Sequence, residues 1–163
     1  MRLKVKQDAL ELGCDLWEEG KFRAAFHMFL QAAKEGNPHA QLNLAHFYSE
    51  GIAVRRCRRK SMRWLNIAAK SGYAPAANNI GMTFRNEKKY DLALHWLEIA
   101  GNLGDGDALY EMGKIHANQM NDVLNAVKCL RRALESHFIT EGSREEAGQL
   151  FARLESTESG RLG

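Results

Sequence analysis

The feature that most constrains this chain is a recurring break. Gly36, Gly72, Gly104 and His137 fall 36, 32 and 33 residues apart. Between them apolar residues return at i, i+3, i+4 and i+7, the spacing of one helix face. A period of that length accommodates one helix–turn–helix unit. Each break is preceded by a similar ending: Phe29-Ala32-Ala33, Leu65-Ala68-Ala69, Leu97-Ala100-Gly101 and Leu130-Ala133-Leu134. A small residue stands four places before the first member of each, as Ala25, Ser61, Ala93 and Ala126. Upstream, Ala9, Ala40, Ala76 and Ala108 share a register, followed by Cys14, Ala45, Gly81 and Gly113, then by Trp17, Tyr48, Phe84 and His116. Small side chains at one register let two helices approach closely, and the aromatic fills the space beside them.

The expected fold is therefore all-α, with about four helical hairpins over residues 8–36, 38–72, 74–104 and 106–137. The stretch EGSREEAGQLFARLE adds an amphipathic helix over about 142–155, with Ser143 and Glu146 as a capping box and Leu150, Phe151 and Leu154 as its apolar stripe. Such a helix is the expected cover for the end of a stacked array. Residues 1–156 read as a single domain, and the tail 157–163, without any such pattern, is expected to be disordered.

The second unit carries Ala40, Leu44, Ala45, Tyr48, Gly51, Ala53, Val54, Cys57, Lys60, Ser61, Trp64, Ala68, Ala69 and Gly72 at fixed spacing. This pattern closely resembles a Sel1-like repeat, a relative of the tetratricopeptide repeat with a longer turn between its helices. It departs from the family pattern in having Ala53 for Gly, Cys57 for Asp and Ser61 for Ala, which leaves the register intact. Units one, three and four have shorter turns and look more like plain tetratricopeptide units; the resemblance covers about residues 8–137. It implies an α-solenoid that binds a partner along its concave face, lined by the first helix of each unit. Counted from Cys14, Ala45, Gly81 and Gly113, that face offers Asp8, Glu11, Asp15, Glu18 and Glu19 in unit one and His39, Leu42 and His46 in unit two. Unit three contributes Asn78, Met82 and Arg85, and unit four Asp107, Tyr110, Lys114 and Asn118. Five carboxylates in one stripe, followed by Leu42, Met82 and Tyr110 as apolar anchors, suit a partner segment with a basic end and a hydrophobic centre. Acidic residues near a helix start are also favoured by the helix dipole, so a merely solvated N-terminal helix is the competing reading.

Chemistry is harder to find. Cys14, Cys57 and Cys129 lie far apart without a CxxC pair, which argues against a disulfide framework or a zinc knuckle and for reduced thiols. Cys57, among arginines, is expected to be the most reactive of them. His39 and His46 stand seven apart, but no third ligand completes a metal set, and there is no HExxH, GxSxG or phosphate loop. The run GNLGDGDA at 101–108 reads as a turn between units. No catalytic residue, metal or cofactor is expected. The resemblance does bring in an enzyme reading, since cysteine-rich secreted relatives act on β-lactams, but those carry paired cysteines in each repeat.

With 45% hydrophobic residues the chain suits a folded domain, and no apolar run reaches the length of a membrane span. The start MRLKVKQDALELG lacks the apolar core of a signal peptide, so a cytoplasmic location is expected. Residues 51–86 hold six Arg and two Lys without one acidic residue, leaving the rest of this +3 chain net negative. The dense part, Arg55, Arg56, Arg58, Arg59, Lys60 and Arg63, admits a solvated edge, a contact for an acidic protein, or a nucleic-acid contact. No aromatic lies inside it to stack a base, which weakens the last. The leading expectation is a non-enzymatic protein-binding module, in one version an immunity protein that neutralises a toxin. Its alternatives are an adaptor or chaperone for an effector or signalling protein, and nucleic-acid or acidic-surface binding through loop 55–63.

Overall fold

The structure, a computed structural model, describes residues 8–159, and of residues 157–159 the backbone alone. The helices are α1 (Ala9–Glu18), α2 (Phe22–Lys34), α3 (Pro38–Glu50), α4 (Arg58–Lys70), α5 (Ala74–Asn86), α6 (Tyr90–Asn102), α7 (Gly106–Asn118), α8 (Val123–Glu135) and α9 (Glu141–Ser159). The class is all-α: helical hairpins repeated in series with a C-terminal helix, and no strand among the described residues. They gather into two compact units that divide between Tyr73 and Ala74. In the first, α1 pairs with α2 and α3 with α4, and α2 packs on α3. In the second, α5 pairs with α6 and α7 with α8, α6 packs on α7, and α9 lies against α8 and α7. α9 spans the residues expected to form the capping helix and runs on to Ser159; residues 160–163 of the tail lie outside the described residues.

Local chemistry sets the helix starts. Asp8, Asn37 and Asp105 each accept the backbone N–H three residues on, at 2.9, 3.1 and 2.9 Å. Such a cap satisfies one of the four donors that a helix start leaves free, and stabilises it by about 1 kcal/mol. At α9 the cap differs from the expected capping box. Thr140 Oγ1 accepts from Ser143 N at 3.4 Å, while Glu146 turns away to bind Tyr110. The long turn of the second hairpin, 51–57, is held by Cys57 N donating to Tyr48 O at 2.8 Å. Ala53 sits there at φ 55°, which explains why the repeat pattern places Gly at that position.

Each core is built from the recurring positions. Phe26, Phe29 and Phe47 cluster in the first unit with ring centroids 5.6 and 5.9 Å apart, and Trp17 meets Phe47 edge-on at 5.2 Å. Ile80, Leu97, Ile115 and Leu130 are fully buried in the second. Glycines decide how closely a hairpin closes. A Cβ on Gly81 would lie 2.6 Å from Leu97 Cγ, and one on Gly113 2.8 Å from Leu130 Cδ2. In the first hairpin the equivalent is Gly13, whose Cβ would lie 2.8 Å from the Phe29 ring, whereas Cys14 is exposed. The register read from Cys14 is therefore one residue late in unit one. Phe29 is larger than the leucines at its equivalent positions, and only glycine fits against it.

Candidate protein-interaction surfaces

In the first unit the one-residue correction changes which side chains share a face. With Gly13 as the reference, the residues corresponding to Leu42 and His46 of α3 are Leu10 and Cys14 of α1, with Trp17 and Glu18 one turn further. Cys14, Trp17 and Glu18 line a cleft of about 190 Å³ with Asn43 and His46 of α3, floored by Phe29 and Phe47. Trp17 is the residue the sequence reading passed over. Its ring stands 5.0 Å from Phe22 and 5.9 Å from His46, and it is half-buried rather than sealed in the core. Its signal was present as an aromatic in a helix of acidic residues, but the late register assigned it to packing.

Asp8, Glu11, Asp15, Glu18 and Glu19 are all exposed. Asp8 is committed to capping α1, and Glu19 pairs with Lys21 at 2.6 Å. Together with burial, which comes first, Asp15, Glu18 and Asp8 hold the Cys14 thiol above its ordinary pKa. The cleft therefore combines an aromatic floor with an acidic rim. His39 belongs to the edge of the unit, where Nδ1 meets the Tyr73 hydroxyl at 2.9 Å; Leu42 is half-buried and His46 exposed.

The equivalent residues of the second unit are largely engaged within it. Arg85 of α5 bonds Glu111 of α7, which also takes Lys114 at 3.0 Å. Asn78 Nδ2 donates to Asp105 at 3.0 Å. Asp107 accepts from Thr140 N at 3.2 Å and from its hydroxyl at 2.8 Å, tying the start of α9 to α7. Tyr110, expected as an exposed anchor, is only 6% exposed and donates its hydroxyl to Glu146 of α9. Burial and that carboxylate raise its pKa above the usual phenol value. Lys114 Nζ lies 4.6 Å over the same ring. What stays open is a polar recess of about 450 Å³ formed by Tyr110, Lys114 and Asn118 with Glu146, Gln149, Leu150 and Arg153. Met82 is half-buried.

The basic residues Arg55, Arg56, Arg58, Arg59, Lys60 and Arg63 are all exposed, on the turn 51–57 and the first turns of α4. Lys60 Nζ lies 5.0 Å over the Tyr48 ring, which Phe26 also meets edge-on at 5.7 Å. The first turn of α4 has no acidic residue and its N-cap, Cys57, makes no side-chain hydrogen bond. Three cations there oppose the helix dipole, an arrangement with a cost rather than a benefit to folding. Cys57 itself is half-buried, Cys129 buried, and burial raises the Cys129 thiol. Among the described residues no group of three or more His, Cys, Asp and Glu side chains is placed to hold a metal ion. None of the described helices is long and apolar enough to cross a membrane.

Comparison with known proteins bears on this architecture. The family model described as Sel1 repeat matches residues 19–37, 38–73, 74–105 and 106–137, the last three in step with the helical hairpins and the first covering α2 without α1. A Sel1 repeat protein from Oxalobacter formigenes superposes with a TM-score of 0.68 at 23% identity, over 77% of this chain and 55% of that one. The protective antigen c5321 of uropathogenic Escherichia coli gives 0.72 at 19% identity, over 90% of this chain and 33% of its own. The immunity protein PA5088 of Pseudomonas aeruginosa gives 0.50 at 21% identity, over 79% and 45%. At these identities the likeness is one of fold, and the chain spans from a third to about half of those proteins. No curated protein sequence matches it. Four consecutive matches covering most of the residues, the first over α2 and each of the other three over one whole hairpin, establish that the chain belongs to the Sel1 repeat family.

Proposed function

We infer that this chain holds a partner protein on the first-helix face of its N-terminal hairpins, without catalysing a reaction on it. Sel1 repeats are protein-binding modules and a typically non-catalytic scaffold. The observation that carries the reading is the cleft between α1 and α3. Its floor of Trp17, Phe29 and Phe47 is apolar, and its rim of Glu18 and the neighbouring exposed Glu11 and Asp15 is acidic. A partially exposed Trp beside carboxylates suits a partner segment with an apolar side chain flanked by Lys or Arg: the ring supplies contact area, the carboxylates steer the encounter. In its most specific form the partner is a toxin that the chain neutralises, supported by the fold shared with the immunity protein PA5088. An adaptor or chaperone role uses the same surface.

The test is capture of partners by the purified chain, comparing wild type with the triple reversal of Glu11, Asp15 and Glu18 to Lys and with Trp17→Ala. The reading expects one enriched protein whose association slows and loses its salt dependence in the reversal, because salt screens such steering over about 8 Å. It expects faster dissociation from Trp17→Ala, with a loss of about 2 kcal/mol or more at a true anchor. A second reading is favoured by the exposed cations around a helix start that has no acidic cap: an acidic partner, or nucleic acid, held on residues 55–63. If reversing Arg55, Arg56 and Arg58 abolishes capture while both α1 variants bind normally, the second reading replaces the first.

A further inference from the structure

In the second unit one cation stands apart. Arg85 bonds Glu111, and Arg131 faces Glu155 at 3.9 Å. Arg132 takes Glu98 at 3.2 Å and Asn102 at 2.9 Å, and Arg144 donates to the carbonyls of Leu134 and Ser136, each at 2.8 Å. The remaining described arginine of that unit is Arg153, whose guanidinium has no hydrogen bond or ion pair among the described residues. Its side chain lines the recess of about 450 Å³ between α7 and α9. Helix spacing explains how that recess is lined. Tyr110, Lys114 and Asn118 follow at steps of four along α7, and Glu146, Leu150 and Arg153 at steps of four and three along α9, so each set shares one helix face. The walls are fixed within the chain. Tyr110 is buried, donates its hydroxyl to Glu146 and carries Lys114 Nζ 4.6 Å over its ring. Asp107 fastens the start of α9 to α7 through the Thr140 hydroxyl at 2.8 Å. A recess held open by such bonds is pre-formed for a ligand.

The lining groups define the chemistry of that ligand. Arg153 supplies a planar fork of N–H donors, the geometry that receives a carboxylate in two parallel hydrogen bonds. Lys114 Nζ gives one N–H to Glu111 at 3.0 Å and retains the others. The exposed Asn118 amide makes no hydrogen bond among the described residues and adds a neutral donor. Gln149 uses Nε2 on Glu145 at 3.2 Å, which leaves its Oε1 as an acceptor. Leu150 is half-buried and gives one wall an apolar surface. Among the lining residues, Lys114 and Arg153 against Glu146 leave one positive charge in excess. A single carboxylate balances that excess. A phosphate group, at about −1.5 to −2 near neutral pH, overshoots it and faces Glu146. The recess also has the size of a small-molecule site, about 300–1,000 Å³, rather than that of a lone oxoanion.

We propose that the recess between α7 and α9 binds a small organic acid, with its carboxylate on Arg153 and Lys114, a neighbouring N–H or O–H on Gln149 Oε1, and an apolar body against Leu150. Acylated amino acids and hydroxy acids have this chemistry. The site belongs to the second unit and does not depend on the function proposed for the cleft of α1 and α3.

The probe is N-acetylleucine, titrated at constant ionic strength into the full isotope-labelled chain while nuclear magnetic resonance follows the Arg153 Nε–H and the Asn118 side-chain amide. Both signals should move and saturate at millimolar acid or below, with the affinity reduced at least ten-fold by Arg153→Gln and reduced also by Lys114→Gln. N-acetylleucinamide, which lacks the carboxylate, should bind at least ten-fold more weakly, and inorganic phosphate more weakly than the acid. Thermal unfolding in parallel should give Arg153→Gln the melting temperature of wild type, because the guanidinium it replaces bonds nothing within the described residues. The comparison of acid with amide on the wild-type chain decides the matter whatever the variants do to the fold. Reversal of Glu11, Asp15 and Glu18 should leave this binding unchanged, which separates it from the function proposed above. The proposal is overturned if the signals do not saturate, if a folded Arg153→Gln binds the acid as well as wild type, or if the amide or phosphate binds as tightly as the acid. It is also overturned if an acetylated pentapeptide ending in leucine binds at least ten-fold more tightly than N-acetylleucine, since the occupant would then be a chain end rather than a small acid.

Discussion

Replacing Gly81 and Gly148, one at a time, by alanine turns the packing argument into a measurement. Both glycines lie inside a helix, and in each the added methyl raises helix propensity by about 1 kcal/mol. At Gly148 nothing opposes that gain. At Gly81 the new Cβ would stand 2.6 Å from Leu97 Cγ, 2.8 Å from Leu97 Cδ2 and 3.2 Å from Ala93 O. Leu97 is fully buried, and the carbonyl belongs to the backbone of α6, so neither can retreat without moving the helix. Overpacking of this kind costs about 1–3 kcal/mol. The propensity terms cancel between the two variants, which leaves the overpacking as their difference. In a protein of this size 1 kcal/mol shifts the melting temperature by about 2–4 °C. Thermal unfolding followed by circular dichroism should therefore place Gly148→Ala above wild type, and Gly81→Ala below Gly148→Ala by about 2–12 °C. Equal melting temperatures for the two variants would refute the assignment of Gly81 as the point of closest approach in its hairpin.

Two further expectations follow from ionisable groups. The Cys14 thiol is exposed but held up by burial and then by Asp15, Glu18 and Asp8, so its labelling by an electrophile at neutral pH should accelerate with added salt and in Glu18→Lys. A rate indifferent to both would mean that the carboxylates do not act on it, while Cys129 should label only on unfolding. Tyr110 holds its proton more tightly in the folded chain than in the unfolded one, so its share of stability is complete below about pH 10 and is lost as the pH rises through its raised folded value. Tyr110→Phe should flatten the alkaline end of the stability curve, measured by urea unfolding from pH 8 upward; an unchanged alkaline slope would contradict a Tyr110 hydroxyl held up by burial and by Glu146.

The sequence alone determined the class of fold and the number of hairpins, because periodic small and apolar residues encode helix approach directly and each unit repeats the code. It also located the long second turn and its departure at Ala53, a position whose left-handed backbone explains the glycine preference. Registers within a hairpin were decided by tertiary structure. Cys14 and Gly13 are adjacent and both small, and only the size of Phe29 across the hairpin selects the glycine. That single step moved Trp17 from the packing list to the cleft. The fate of exposed-looking polar residues was likewise unreadable from spacing. Tyr110, Arg85 and Asp107 occupy the same kind of helix face as His46, yet α9 and the α5–α7 ion pairs cover or engage them. Sequence periodicity reports which face of a helix points away from its own hairpin. What then covers that face depends on residues some 30 positions distant, Glu146 for Tyr110 and Thr140 for Asp107, and only folding brings those together.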